Sequence, residues 1–277
     1  MVSKIGIIGL GSVGKANEHA LGFYHTVLGY DIRGEYDWKS ILETDMVLVC
    51  VDTPIGEDGR LNCSHVTEVL HKLHADAYQN PVVIRSTVRV GYMDNATKMF
   101  PDLHLVYMPE FLRERSRLQW AVCPDRLVFA GAKEDIIKVL EAFDWVEDAV
   151  IIEMDFKSAE VGKLAHNAFI ATKVSFTNEI EDLCTKLGAD PHDVMEVVTA
   201  DRRIKSKEHL RPHFGPYEGK CVPKDTIELM NATEDAPLLR TVHEVNERVK
   251  KEEMNDIKEP VPSFVQKATR SPPGGME

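Results

Sequence analysis

The chain lacks paired cysteines: its five (Cys50, Cys63, Cys123, Cys184 and Cys221) form no CxxC pair. An odd and scattered set indicates neither a disulfide framework nor a zinc ribbon. Each cysteine is therefore read as a small core residue or a reactive thiol. No run approaches the roughly 20 apolar residues that a membrane span requires. Basic residues are outnumbered, 33 Lys+Arg against 45 Asp+Glu, for a formal net charge of −12. That balance argues against a nucleic-acid partner, which needs a basic face. An anionic substrate still fits wherever Arg, Lys and backbone N–H groups gather locally. Residues 1–5 lead directly into an apolar strand pattern without a signal-type hydrophobic region, so a cytoplasmic location with no membrane partner is expected. The 277 residues contain no internal repeat, and 43% are hydrophobic, as in an ordinary globular chain. That length can bury a core without a metal or disulfide staple.

Short apolar runs recur along the first half. Residues 4–10, 26–31, 46–51, 81–86, 103–107, 126–130 and 150–152 read as strands. Helical patterns lie between several of them, notably 63–74 and 134–143. Alternation of this kind predicts an α/β fold with a parallel sheet. From Phe156 to Leu187 there is no proline, and Val161, Leu164, Ala168, Phe169, Val174, Ile180, Leu183 and Leu187 recur at helical spacing. One long helix is expected there, with Gly188 as its stop and Asp190-Pro191 opening the next helix. The predicted organisation is a doubly wound Rossmann-type domain over 1–155, a mostly helical domain with a long central helix over 156–254, and a solvated tail over 255–277.

Several motifs carry chemistry. Gly9-Leu10-Gly11-Ser12-Val13-Gly14 follows a strand, opens a helix and precedes Asp31 at the end of a second strand. In that context Gly9 permits a tight turn, Gly11 lets backbone approach a pyrophosphate, and Gly14 permits close helix packing. The helix N-terminus offers N–H donors to phosphate. Asp31 would accept from ribose hydroxyls and repel a 2′-phosphate, favouring NAD over NADP, with Arg33 nearby weakening the preference. The same residues also suit an ordinary strand-to-helix turn. Cys221 stands between Lys220 and Lys224, which would favour the thiolate if they lie close; a lone cysteine near a turn is otherwise a core residue. Lys163 and Asn167 are four apart on the long helix and share a face with Glu160, either as a solvated face or as a site. Glu110 and Glu114 follow a strand end, where ligands of open α/β sheets bind. The histidines do not converge, so no metal is expected.

The assembled order resembles the UDP-glucose/GDP-mannose dehydrogenase family. The matching pieces are the glycine loop, Asp52-Thr53-Pro54, Arg85-Ser86-Thr87-Val88, Pro109-Glu110-Phe111-Leu112-Arg113-Glu114 and Pro124-Asp125-Arg126. They continue through Ala159-Glu160 with Lys163 and Asn167, Phe176-Thr177-Asn178-Glu179, Asp201-Arg202-Arg203-Ile204 and Cys221-Val222-Pro223-Lys224-Asp225. The resemblance covers about residues 4–248. It implies a nucleotide-sugar substrate, whose primary alcohol is oxidised to a carboxylate with two NAD+. In that scheme Cys221 attacks the intermediate aldehyde as a covalent nucleophile, and the resulting thioester is hydrolysed. Lys163 and Asn167 would stabilise oxyanion charge. Asp225 would act as base with a water also held by Thr87, and Glu114 would serve the hydrolysis. The resemblance also implies NAD binding by Gly9, Gly11, Ser12, Val13, Gly14, Asp31, Thr53 and Thr87. Substrate binding falls to Glu110, Phe111, Leu112, Arg113, Lys163, Asn167 and Gly219. A homodimer through the long helix is implied as well.

Three departures stand out. Glu218 occupies a glycine position of the loop before Cys221, adding bulk and negative charge beside an anionic substrate. The stretch from Asp31 to Met46 is short, so a strand–helix piece of the Rossmann fold is missing. The sequence ends where the family's C-terminal domain, which grips the nucleotide, begins. These departures keep two other readings open: a dehydrogenase of a smaller alcohol or aldehyde, and a non-catalytic NAD-binding or regulatory protein.

Overall fold

The computed structural model describes residues 2–34, 36–201, 204, 209–210, 214–232 and 236–256, with backbone alone for Glu114 and for 254–256. Arg202, Arg203 and the predicted tail beyond 256 lie outside the described residues. Seven strands form one sheet: β1 (Lys4–Ile8), β2 (Thr26–Tyr30), β3 (Met46–Val49), β4 (Val82–Ile84), β5 (Leu105–Tyr107), β6 (Arg126–Gly131) and β7 (Val150–Glu153). Their order is β2-β1-β3-β4-β5-β6-β7. The helices of the first half are α1 (Ser12–Leu21), α2 (Trp38–Leu42), α3 (Ser64–Ala75), α4 (Tyr92–Met99), α5 (Arg117–Val122) and α6 (Lys133–Glu141). They are followed by α7 (Phe156–Leu187), α8 (Pro191–Thr199), α9 (Cys221–Asn231) and α10 (Pro237–Asp256).

Side-chain alternation sorts the strands into two cores. Val47, Val49, Val82, Ile84, Leu105 and Tyr107 face one cluster. Ile5, Ile7, Met46, Leu48, Val83 and Val106 face the other. Both faces are covered, which explains why the strands read as continuous apolar runs. Leu48 has no exposed surface, so Leu48→Ala would cost about 3 kcal/mol. The first core also receives Ala159 and Leu164 of α7, with Leu229 of α9 packed against it. The sheet thereby anchors the two helices that carry Lys163 and Cys221.

The sheet departs from the expected all-parallel arrangement at one junction. β6 pairs antiparallel with β5, with Tyr107 opposite Ala130, while β7 runs parallel to β6. The β5–β6 connection contains only a 3₁₀ turn (Glu114–Ser116) and the six-residue α5. It does not recross the sheet, so β6 starts near the end where β5 stops and runs back. Between β2 and β3 stands only α2, which makes β2 an edge strand and accounts for the short Asp31–Met46 stretch.

The chain divides into two compact units: 1–171 with 218–240, and 172–217 with 241–277. This grouping differs from a sequential cut near 155, because the start of α7 and all of α9 cluster with the sheet. In the second unit Asp190 caps α8, accepting from His192 N at 2.7 Å. Gly188, at φ +73°, ends α7. There Tyr217 N and O both bond the buried Asn246 side chain, at 2.7 and 3.2 Å.

Candidate active site

The glycine loop lies at the carboxyl end of β1, beside β3, where the strand order reverses. Gly9 takes φ +93°, and a Cβ there would stand 2.9 Å from the Cys50 carbonyl. A side chain at Gly14 would collide with the Gly9 carbonyl, whereas the space above Gly11 is open. That opening, at the start of α1 with Ser12 and Val13, is a cradle a pyrophosphate can enter, so the residues fit a dinucleotide. Asp31 Oδ2 accepts from Leu10 N at 2.8 Å. Its carboxylate also takes a two-pronged bond from Arg33, Nε to Oδ1 at 3.0 Å and Nη2 to Oδ2 at 3.2 Å. The Arg33 guanidinium, 75% exposed, holds the Asp31 carboxyl well below its usual range against some desolvation. Thr53 Oγ1 donates to the Thr87 carbonyl at 2.6 Å, joining the loops that follow β3 and β4.

A second group of polar residues is buried where α7 and α9 meet the sheet. Glu160, Lys163 and Asn167 are at most 5% exposed, so the solvated-face alternative for this stripe fails. Glu160 reaches the start of α4, accepting from Gly91 N at 2.6 Å and Met93 N at 2.7 Å. It supplies the capping acceptor that Gly91, without a side chain, cannot. Burial raises the Glu160 pKa in spite of these bonds. Asn167 Nδ2 donates to Asp225 Oδ2 at 2.6 Å, and Lys224 Nζ to Asp225 Oδ1 at 2.8 Å. Lys163 Nζ lies 3.5 Å from Glu110 Oε1. Glu110 Oε2 accepts from Leu112 N at 2.6 Å. Burial works to raise the Glu110 pKa, but Lys163, the Leu112 N–H and Arg85 outweigh it and hold the carboxyl below its ordinary value.

Cys221 is the first residue of α9 and reaches the surface. The helix N-terminus favours a thiolate. The expected help from Lys224 is present, and Lys163 adds to it, but both are outweighed. Burial in the packed surroundings, then the Glu110 carboxylate, push the thiol above its ordinary value. Lys220 precedes the helix and is exposed. Gly219 has φ +84°, a left-handed turn into the helix, and Glu218 beside it is exposed. Cys50, Cys63 and Cys184 are buried.

The structure thus gathers Glu110, Lys163, Asn167, Cys221 and Asp225. Phe111 joins them, its ring lying 4.0 Å from the Arg126 guanidinium carbon and 5.2 Å from Lys163 Nζ. Arg113 stacks instead on Trp120, at 4.5 Å. Glu114 opens the 3₁₀ turn, and its side chain is outside what is described. Three contributors were not given roles from sequence. Arg85 is buried and its Nη1 donates to the Met108 carbonyl at 2.9 Å, bracing the turn that presents Glu110. His166 packs edge-on against Phe111 at 5.3 Å, and Glu228 ties α9 to the loop after β3. None has a local signal, because each meets its partner across the fold.

Residues 33–143 match the model of the UDP-glucose/GDP-mannose dehydrogenase family's NAD binding domain, and residues 157–248 match that of its central domain. A UDP-glucose 6-dehydrogenase of Bacillus subtilis is 34% identical over 220 residues, covering 75% of this chain and 50% of the relative. A GDP-mannose 6-dehydrogenase of Pseudomonas savastanoi is 31% identical over 235 residues, covering 78% and 53%. The solved structure of a UDP-glucose dehydrogenase from Pyrobaculum islandicum superposes with a TM-score of 0.81 at 26% identity, covering 90% of this chain and 68% of that one. The chain spans about half the length of the curated relatives it matches. Two consecutive domain matches, the shared fold and relatives above 30% identity place the chain in the UDP-glucose/GDP-mannose dehydrogenase family.

Proposed function

We propose that the chain oxidises the primary alcohol of a nucleotide sugar to the carboxylate, with Cys221 as a transient covalent acceptor. One observation carries this reading. A thiol at a helix N-terminus lies within electrostatic reach of the buried Lys163, Glu110 and Asp225, and the buried Asn167 amide bonds Asp225. Burying charge is costly even when it is paired, so a buried ionic cluster gathered beside a thiol favours use in chemistry over packing alone. The Gly9–Gly14 loop, with Asp31, Thr53 and Thr87 at neighbouring strand ends, would hold NAD+, which supplies the hydride acceptor for both oxidation steps.

The chain's own residues would divide the remaining work. Cys221 Sγ forms a carbon–sulfur bond to the aldehyde carbon, and the carbonyl oxygen takes up charge or a proton. Lys163 Nζ and Asn167 Nδ2 are the donors that stabilise that oxygen. Asp225, oriented by Asn167 and Lys224, accepts a proton from the attacking group or from the water that later cleaves the thioester. Glu110, already braced by Leu112 N and Arg85, fixes Lys163. Phe111, Leu112, Arg113 and Gly219 would border the sugar nucleotide, and Glu114 would serve the hydrolysis.

A homodimer through α7 forms part of the proposal. Phe169, Phe176, Leu183 and Leu187 are each at least 44% exposed along that helix. Light scattering that finds a monomer at micromolar concentration would remove it. The activity is tested by following NADH formation with a panel of UDP- and GDP-sugars. Turnover of one of them with two NADH per sugar supports the reading. Absence of turnover with all of them, alongside measurable NAD+ binding, would favour the non-catalytic alternative. No helix among the described residues is long and apolar enough to cross a membrane.

A further inference from the structure

Glu228 is a fully buried carboxylate that the proposed chemistry does not use. It lies on α9 seven residues after Cys221 and three after Asp225. At about 3.6 residues per turn, the three share one side of the helix. Its Oε1 accepts from Arg60 Nε at 2.9 Å, with Nη2 at 2.8 Å, and its Oε2 accepts from Leu61 N at 2.6 Å. At the end of the helix, Asn231 Nδ2 donates to the Gly59 carbonyl at 2.9 Å. Gly59 has φ +71°, which favours glycine, and a Cβ there would stand 2.8 Å from Asn231 Nδ2, so a side chain would displace the Asn231 amide.

The loop is itself cross-bonded. Gly56 N donates to the Arg60 carbonyl and Asn62 N to the Pro54 carbonyl, each at 2.7 Å. Ile55 and Leu61 form an antiparallel bridge. Thr53, at its base, is bonded to the Thr87 carbonyl. Segment 53–62 is therefore a braced ledge rising from the ends of β3 and β4. Toward its first turn, α9 is held by Asn167 Nδ2 on Asp225 at 2.6 Å, while Lys220 makes no side-chain cap bond, so the Glu228 contact is a second fixture on the same side of the helix. A helix whose first residue is the nucleophile needs its rotation fixed. A turn of about 20° about the axis moves a Cα, at a radius of about 2.3 Å, by about 0.8 Å, and a side-chain tip farther out by more than about 1 Å.

We infer that Arg60 and Glu228 are a positioning pair that latches α9 to the 53–62 ledge and so aims Cys221 and Asp225 at Lys163 and Asn167. Neither residue touches the reacting atoms. The inference rests on the thiol chemistry proposed above. It also explains why the loop beside the NAD cradle carries an arginine whose head points into a buried carboxylate. The pair couples the ledge beside the cofactor to the helix that bears the thiol.

The test reads thiol chemistry separately from turnover. Alkylation of Cys221 by iodoacetamide is followed across about pH 6–10, by mass spectrometry of the Cys221 peptide so that exposed Cys123 does not interfere. Glu228→Gln and Arg60→Met should change the rate or displace its inflection about threefold or more, as the thiol leaves its tuned surroundings. Both should lower kcat more than they change KM, since a misplacement of about 1 Å can cost about 100-fold. Arg60→Lys should restore most of both. Folded variants, by circular dichroism, that alkylate along the wild-type profile and keep wild-type kcat would overturn the inference. Should Glu228→Gln fail to fold, Arg60→Met decides, because the Arg60 side chain is 27% exposed. A wild type that turns over no nucleotide sugar would defeat the dehydrogenase reading, and the alkylation profiles would still decide the latch.

Discussion

Replacing Lys163 by methionine tests the buried pair at the centre of the site. Lys163 and Glu110 are 2% and 6% exposed and 3.5 Å apart. At that distance, with an effective dielectric near 20, their attraction is about 5 kcal/mol before desolvation is charged against it. Methionine keeps the length and apolar stem of the side chain, so packing against Phe111 largely survives. What is lost is the partner of a buried carboxylate, an event that costs about 3–5 kcal/mol. Leu112 N and Arg85 still face Glu110, so the lower end applies, about 3 kcal/mol. For a protein of this size that is roughly a 6–12 °C fall in Tm. Adding Glu110→Gln removes the stranded charge while keeping an acceptor for Leu112 N, and should restore about 2 kcal/mol of the loss. Activity should separate from stability. Both variants lack the oxyanion donor and should lose about 10²–10³ in kcat. Thermal unfolding of the two single variants and the double variant, with NADH formation for each, completes the cycle. If the double variant is no more stable than Lys163→Met, Lys163 and Glu110 are not coupled.

Other outcomes follow from the same contacts. Cys221→Ser should keep NAD+ binding while NADH formation falls by orders of magnitude, because a hydroxyl is a far poorer nucleophile than a thiol; full NADH formation would refute the covalent route. Asp31 should make NAD+ bind more tightly than NADP+ by calorimetry, and Arg33→Ala should widen the gap by unmasking the carboxylate; tighter NADP+ binding in the parent chain would assign the preference to Arg33. His166 is pushed down to about 4, by burial first and then by Arg126. Its depressed pKa means the unfolded chain binds the proton more readily, so stability is fully present above about pH 6.5 and declines as pH falls toward 4. After allowance for partial solvent exposure the loss is about 1–2 kcal/mol. His166→Asn should flatten that part of the denaturation profile, and an unchanged slope would exclude the histidine as its source.

Much of the fold was legible because its signals are local. Seven apolar runs became seven strands, and the proline-free stretch from Phe156 to Leu187 became one helix closed by Gly188. Asp190-Pro191 opened the next helix as its cap chemistry predicts. The glycine spacing placed an open cradle at the start of α1. Strand direction was less legible, since an apolar run has no polarity. The reversal of β6 follows from how far the short β5–β6 connection carries the chain.

The sequence by itself determined the elements, the order of the motifs and the residue types available for chemistry. Tertiary structure decided what those residues are to one another. Lys163 reads equally well as a surface lysine until α7 is seated on the sheet and Glu110 arrives from the end of β5. The lysines around Cys221 suggest an acidic thiol, yet the outcome depends on the distances of Glu110 and of the surrounding mass, which no linear spacing encodes. Arg60 and Glu228 stand 168 residues apart. Pairing across such a separation is fixed only when the sheet, the ledge and α9 are packed together, because electrostatics and burial act through space while periodicity and capping act along the chain.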